Sequence, residues 1–241
     1  MVNFVVGPSR QAVSLDSGIF KSFTVPRVKV SDTSHDNTTG GPIVIEEVVE
    51  GIFGYVCQYL YVGDYFIPLT EDVVPYQIVE EQQYEEDDIL TLKGNIFENS
   101  ASVKKLAGYI VRGHQSRPAL PSNGHHYRHF WNYSGALLAH AQLSIFAQQS
   151  GLEELHDISL YKFLYMLHDF PFYKKRVGDI LQLVGFVFES DPQVCQNLRA
   201  LAVDYVTLHI KQLFHDEEFQ LLLQGTSSLD TLVLRNLCDL L

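Results

Sequence analysis

Basic residues are scarce in this sequence. Its 241 residues include 17 Lys and Arg against 29 Asp and Glu, which gives a formal net charge of -12. Nucleic acids and anionic membrane surfaces attract basic patches, so this balance argues against either as a direct partner. The sequence also offers no basic stripe of the kind that binds DNA, and any role on chromatin would have to pass through partner proteins.

Long apolar runs are missing as well. His, Gln or charged residues interrupt the apolar runs well short of the ~20 residues that a membrane-spanning helix needs. The first ten residues, MVNFVVGPSR, have neither the basic start nor the long apolar stretch of a signal peptide. These features predict a protein of the cytoplasm or the nucleus.

Cysteine is rare, with only three in the chain. Cys57, Cys195 and Cys238 are far apart, and none has the paired spacing of a metal site or a disulfide framework. All three fall on the apolar faces of predicted helices. The pattern favours reduced thiols, which are typical of the cytosol and the nucleus.

The usual signatures of catalysis are also missing. The sequence contains no Gly-x-Ser-x-Gly elbow and no phosphate-binding loop. Carboxylates are paired in the acidic run 80–88, but a solvated run titrates normally, whereas a catalytic acid or base needs a shielded pocket. The sequence therefore predicts a protein that is not an enzyme and holds no cofactor.

One alternative is a metal-binding or enzymatic protein centred on the loop sequence HHYRH. Histidine is a good zinc ligand, and this loop contains three: His125, His126 and His129. No cysteine lies nearby, and no glutamate is placed as in HExxH. The surrounding Gly and Pro indicate a solvated loop, which favours the interpretation without a metal.

The first half of the chain predicts a small sheet and one buried helix. Apolar strands at 2–6 and 11–15 flank the turn signal Gly7-Pro8, which is typical of a hairpin, and Asp16-Ser17 suits the start of a helix. The run 43–45 has the β-branching of a third strand. A helix follows, ended by Gly63 and Asp64, because glycine accepts the left-handed conformation common at helix ends. The predicted buried face of this helix comprises Val49, Ile52, Phe53, Val56, Tyr59 and Leu60.

The last hundred residues predict paired helices and then a helical tail. A strong helical stripe begins after Gly135, breaks at Gly151 and resumes from Leu152 to Leu164. Beyond Pro171 the pattern is helical throughout, with Asp191-Pro192 as one start signal. The apolar stripes of the four tail helices run through Val177, Ile180, Leu181, Val184, Val187 and Phe188; through Leu198, Leu201, Ala202, Tyr205 and Leu208; through Phe219, Leu222 and Leu223; and through Leu229, Leu232, Leu234 and Leu237.

Between these two parts, residues 66–134 show no regular spacing of apolar residues. The segment contains the acidic run, one predicted helix over 100–111 and a loop rich in Gly, Pro, Ser and His. We interpret it as a partly disordered insertion. Aromatic residues are frequent at its two ends, and Tyr59, Tyr61, Tyr65 and Phe66 fit either core packing or an exposed aromatic patch at an interface. The pair Phe130-Trp131 is equally consistent with docking back on the domain and with contacting a partner.

Two stretches resemble one known family. The sequence around IFGYVCQYLYVGDY is similar to the centre of a BTB/POZ domain, where a strand and an acidic turn lead to a helix that closes on a leucine-tyrosine-threonine-glycine pattern. The stretch ALLAHAQLSIFAQQSGLEELHDISLYKFLYML resembles the paired helices of that domain, and the tail resembles that of fungal BTB-type proteins. Asp16 stands where the family has a histidine, and Val62 where threonine is usual. The residues that carry the fold-core and interaction motif are Phe53, Leu60, Tyr61, Gly63, Asp64, Ala141, Phe146, Ala147, Leu152 and Leu155.

The resemblance implies an α+β fold, with a small sheet flanked by helices and followed by an all-helical tail. The corresponding domains are a BTB/POZ-like domain at 1–168, interrupted by the insertion at about 66–134, and a C-terminal helical extension at 169–241. BTB domains self-associate or hold partner proteins, and some recruit cullin-type ubiquitin ligase scaffolds. The implied function is thus an adaptor or scaffold whose partners are proteins, among them a second copy of the chain or a cullin scaffold.

Overall fold

The computed structural model describes residues 1–20, 42–46, 48–71, 131–170, 176–226 and 228–240. Within them the fold is α+β, as the sequence predicts, with a small sheet, helices and a helical tail. The strands are β1 (Val2–Val6), β2 (Gln11–Leu15), β3 (Ile43–Ile45), β4 (Thr70–Glu71) and β5 (Trp131–Asn132). The helices are α1 (Ser17–Phe20), α2 (Glu50–Val62), α3 (Tyr133–Gln149), α4 (Glu153–Asp169), α5 (Val177–Glu189), α6 (Gln196–Leu208), α7 (Ile210–Leu213), α8 (Glu217–Gly225) and α9 (Leu229–Leu240).

Several predicted features lie outside the described residues. They are the helix over 100–111, the acidic run 80–88, the loop of His125, His126 and His129, and the side chains of Phe130 and Trp131.

Contacts between residues divide the chain into two compact units. The first unit is Met1–Ile67 with Gln142–Ser159, and the second is Pro68–Ala141 with Leu160–Leu241. The division falls within α3 and within α4. A division by contacts is not a division into independently folding domains, so the predicted domains 1–168 and 169–241 stay a prediction.

The first unit contains a mixed three-stranded sheet in the order β2-β1-β3. β1 pairs antiparallel with β2, with Val2 opposite Leu15, and parallel with β3, with Phe4 opposite Ile43. Phe4 and Val6 are buried, as expected when every second residue of a strand faces the core. The predicted hairpin and third strand are confirmed.

Helix α2 packs its apolar face against this sheet. The ring of Phe53 lies 5.5 Å from that of Phe4 and 6.3 Å from that of Phe146, measured between centroids. Ile52 and Val56 are buried beside it. The prediction that Val49 lies on the buried face is wrong: the residue is extended, precedes the first helical turn and is 52% exposed.

The turn between α3 and α4 follows the sequence prediction. Gly151 adopts a positive φ of 66°, and the N–H of Leu152 donates to the carbonyl of Ala147 at 2.9 Å. The imidazole Nδ1 of His156 lies 3.0 Å from both the hydroxyl and the carbonyl oxygen of Ser144. These contacts join the end of α3 to the start of α4 within the first unit.

The first helix of the second unit, α3, begins earlier than predicted. α3 begins at Tyr133 rather than after Gly135, because the side-chain oxygen of Asn132 accepts hydrogen bonds from the N–H of Gly135 at 3.1 Å and from the hydroxyl of Ser134 at 2.9 Å. Asparagine is a preferred residue at this position. β4 and β5 also pair antiparallel at the two ends of the segment interpreted as an insertion.

The helical tail is confirmed, with one helix start misplaced. Asp191 begins a turn, not a helix: its carbonyl accepts from the N–H of Val194 and of Cys195, and α6 starts only at Gln196. The guanidinium of Arg199 reaches back from α6 to the end of α5, where it donates to the carbonyls of Val187, Phe188 and Ser190 at 2.8–3.1 Å. A cation bound to the last carbonyls of a helix stabilises that end.

Three predicted apolar positions in the tail prove to be exposed or outside a helix. Cys238 is exposed on α9, and Cys195 is buried but precedes α6, so only Cys57 fits the prediction that all three lie on apolar helix faces; all three thiols are free. Leu234 of α9 is 61% exposed, because the helix buries Leu229 and Val233 instead. No helix of the described part of the chain is long and apolar enough to span a bilayer.

Candidate interaction surface

The structure separates the predicted motif residues into core and surface. In the first unit, Phe53, Phe146, Ala147, Leu152 and Leu155 are all buried. Ala141, in the second unit, is fully buried as well. These side chains hold the fold together and are not accessible to a partner.

The remaining motif residues mark the C-terminal end of α2. Tyr61 and Asp64 are exposed, while Leu60 and Gly63 are half-buried. Gly63 adopts a φ of 75°, and its N–H donates to the carbonyl of Tyr59 at 2.7 Å, as the sequence predicts for the end of this helix.

Three large exposed side chains gather at this helix end, and we call them the α2 patch: Tyr61, Val62 and Phe66, which are 57%, 75% and 70% exposed. The side-chain oxygen of Gln58 accepts a hydrogen bond from the N–H of Phe66 at 3.1 Å. Because Gln58 and Val62 are one helical turn apart, this bond holds Phe66 beside the last turn of α2. The main chain of Phe66 is therefore held next to the helical turn that contains Val62.

Fixed neighbours hold the patch in place. Tyr65, between Asp64 and Phe66, is 2% exposed, and its ring lies 6.2 Å from that of Tyr55. The hydroxyl of Tyr61 accepts from the N–H of Asp16 at 3.4 Å, which connects the patch to the end of β2. A surface tied to buried residues and to the sheet loses little conformational freedom when a partner binds.

Sequence reasoning placed Tyr61 in the motif and left Tyr61 and Phe66 open between core packing and an exposed aromatic patch. The exposure of Val62 was missed, and Val62 does not fall on the predicted apolar face of α2. An apolar residue outside the buried stripe of its helix was the signal that could have found it.

A second cluster of polar and aromatic side chains lies buried in the second unit. The ring of Tyr133 lies 5.1 Å from that of Phe170, and the rings of Tyr205 and His209 are 4.5 Å apart. A guanidinium nitrogen of Arg176 lies 3.5 Å from the carboxylate of Asp179, and both residues are 8% exposed. The cluster joins the start of α3 to α5 and α6.

Two histidines and one tyrosine of this unit are held in their neutral forms. Burial lowers the pKa of His209 to about 4, and burial together with the charge of Lys162 lowers the pKa of His140 to about 3. Burial also raises the pKa of Tyr205. A general base works best with a pKa near the working pH, so these shifts fit packing better than proton transfer.

Among the residues that the structure describes, no three His, Cys, Asp or Glu side chains converge as a metal site would require. Comparison with known proteins found no matching family model, no matching curated protein and no matching solved structure. The α2 patch is therefore the candidate functional site on the strength of its own geometry.

Proposed function

We propose that this chain is a protein–protein interaction module of the BTB/POZ type, which acts as an adaptor or scaffold in the cytoplasm or nucleus. The observation that carries the proposal is the α2 patch, where Tyr61, Val62 and Phe66 are more than half exposed at one end of a buried helix.

The energetics of the patch support a binding role. Burying a Val or Phe side chain completely contributes roughly 1.5–3 kcal/mol, so covering Val62 and Phe66 offers several kcal/mol of association energy. Association costs consume part of this gain, but the fixed neighbours of the patch reduce that cost. Aromatic residues are also enriched among those that dominate binding energies at protein interfaces.

The order of the elements supports the family proposal. The chain forms a hairpin, then a third strand parallel to β1, then a helix that ends at Gly63. A pair of helices joined by the turn at Gly151 follows later. This order agrees with the sequence resemblance at Leu60, Tyr61, Gly63 and Asp64.

The proposed partners are proteins. A cullin-type scaffold is one candidate and a second copy of the chain is another, both by resemblance to the family. The net charge of -12 disfavours direct binding to nucleic acid or to an anionic membrane.

Purification of the tagged full-length chain from its native cells tests this proposal. Light scattering of the wild-type protein should give a mass well above that of one chain, and the Val62→Asp variant should run as a single chain. Leu221→Asp is the matched control, because Leu221 is 66% exposed on α8 in the second unit. Circular dichroism checks that both variants fold.

A wild-type protein that runs only as a single chain, with no companion, would contradict the proposal. Equal complexes from wild type and Val62→Asp would place the interaction elsewhere. Immunodetection of a cullin in the wild-type complex would support the ligase-adaptor form.

A further inference from the structure

Acidic residues lie near the C-terminal end of α2. Asp64 follows Gly63 at the end of the helix and is exposed. The main-chain N–H of Asp16 contacts the hydroxyl of Tyr61, and the hydroxyl of Tyr59, one turn before Val62, donates to the carboxylate of Glu154 at 3.1 Å. Three acidic residues from separate segments of the chain are thus held at the last two turns of α2 or just after them, and the carboxylate of Asp16 also accepts from the N–H of Gly18 at 2.7 Å.

Basic side chains are almost missing from the described residues of the first unit. Arg10 is the one Lys or Arg in residues 1–20, 42–46, 48–67 and 142–159. It belongs to the turn before β2, whereas Asp16 follows β2, so the two residues are separated by the strand, or roughly 20 Å at 3.3 Å per residue. The acidic residues in the same ranges are Asp16, Glu46, Glu50, Asp64, Glu153, Glu154 and Asp157.

The helix itself adds to the negative potential. The patch lies at the C-terminal end of α2, where the last carbonyls of a helix carry a partial negative charge. The last turn of α2 contains no basic residue that would neutralise it.

We infer that the α2 patch binds a basic partner segment, in which a large apolar side chain covers Val62 and Phe66 while flanking Lys or Arg side chains face Asp16, Asp64 and Glu154. This inference rests on the proposed function and names the chemistry of its partner. Opposite charges at the rim select the partner and speed association. The exposed rings of Tyr61 and Phe66 also attract cations to their faces.

The same charges argue against a second copy of the chain on this patch. A symmetric pair would bring Asp64 and Glu154 of one copy toward the same carboxylates of the other. Like charges set against each other cost free energy, so this arrangement selects against self-association.

Three synthetic peptides provide the test on the full-length protein. The first alternates Leu and Lys around a central Trp, and the other two replace every Lys by Gln or by Glu. Fluorescence anisotropy should show the tightest binding for the Lys peptide and the weakest for the Glu peptide, with an affinity that falls as salt is added. Phe66→Ala should weaken binding of the Lys peptide about tenfold or more, and Asp64→Asn several-fold.

Matched variants separate this site from a general attraction to an acidic protein. Phe214→Ala removes another exposed phenylalanine, 56% exposed in the second unit, and Asp239→Asn removes another exposed carboxylate on α9. Neither should weaken binding. Equal losses in Phe66→Ala and Phe214→Ala would overturn the inference.

A further outcome distinguishes this inference from the proposed function. If Phe66→Ala abolishes binding of the Gln peptide as well, and the Gln and Lys peptides bind equally tightly, the α2 patch is an apolar docking surface without charge selection. The basic-partner inference would then be wrong, while the proposed interaction function would stand.

Discussion

The carboxylate of Glu50, the first residue of α2, accepts hydrogen bonds from Ser9 in the hairpin turn. One Glu50 oxygen lies 2.8 Å from the main-chain nitrogen of Ser9 and 2.5 Å from its hydroxyl. This pair connects residues 41 positions apart and fixes the start of α2 against the turn between β1 and β2. It therefore orients the helix whose other end carries the α2 patch.

The Ser9 hydroxyl should determine how Glu50 titrates. The hydroxyl of Ser9 is the main cause that holds the pKa of Glu50 below its ordinary value, followed by main-chain N–H groups. Ser9→Ala should raise the pKa of Glu50 toward that value. A carboxylate whose pKa is lowered on folding stabilises the fold at neutral pH, and this stabilisation is lost as the pH falls through the lowered pKa. The variant should therefore be destabilised more at neutral than at acid pH.

NMR titration of the Glu50 carboxyl and denaturation at the two pH values check this prediction. Ser14→Ala is the control, because the hydroxyl of Ser14 donates to the side chain of Asn3 instead. An unchanged Glu50 pKa in Ser9→Ala would show that the hydrogen bond is not formed in solution.

Two glycine substitutions should change stability in opposite directions. Gly7 has a φ of +71°, and an added Cβ would lie 2.4 Å from the carboxyl carbon of Glu50. Gly7→Ala should therefore lose about 1–2 kcal/mol for the left-handed backbone, besides displacing Glu50. Gly54 lies within α2 with open space around it, and Gly54→Ala should gain about 0.5–1 kcal/mol. Urea denaturation measures both, and a neutral Gly7→Ala would contradict the structure of the turn.

Two phenylalanines in the first unit should differ sharply in their contribution to stability. Phe53 is 1% exposed between Phe4 and Phe146, and Phe53→Ala should lower the free energy of unfolding by about 3–5 kcal/mol. Phe66 is 70% exposed, and Phe66→Ala should change it by no more than about 0.5 kcal/mol. Similar losses from both would mean that Phe66 is buried in solution, and the α2 patch would not exist.

Mild acid should destabilise the fold through His140. Its pKa is about 3 in the folded chain against an ordinary value of 6.5, so between these values the unfolded chain binds a proton that the folded chain does not. Stability should therefore fall as the pH drops through this window, by up to about 1.4 kcal/mol per pH unit from this group. His209, with a pKa of about 4, acts in the same direction.

Denaturation curves across this window check the pH prediction. His140→Gln should flatten the pH dependence. Direct NMR titration of His140 provides a second measurement if the variant does not fold. An imidazole that titrates near its ordinary pKa would contradict its burial.

The elements with regular apolar patterns could be predicted from the sequence, and so could the start of α1 at Asp16-Ser17, whereas two later helix starts could not. β1, β2 and β3 follow an apolar pattern between turn residues, and α2 ends at Gly63 because the chain needs a left-handed residue there. By contrast, Asn132 starts α3 through its side-chain oxygen, and Asp191 forms a turn five residues before Gln196, the first residue of α6. Asparagine and aspartate stabilise turns and helix starts alike, so their sequence alone does not decide between the two.

The candidate surface was harder to predict than the fold. Hydrophobicity indicates that a residue prefers burial, but it does not show whether the fold has room to bury it. Tyr65 is buried and Phe66 is exposed, although they are adjacent aromatic residues. What separates them is the direction of the chain after Gly63, which depends on the contacts of Tyr65 with Tyr55.

Hydrogen–deuterium exchange on the complex purified with its native partner shows whether the α2 patch is the contact surface. Partner binding should slow exchange across residues 58–66, at the end of α2, and leave residues 217–225 of α8 unchanged. Unaltered exchange at 58–66, with protection confined to other parts of the chain, would mean that the partner binds elsewhere.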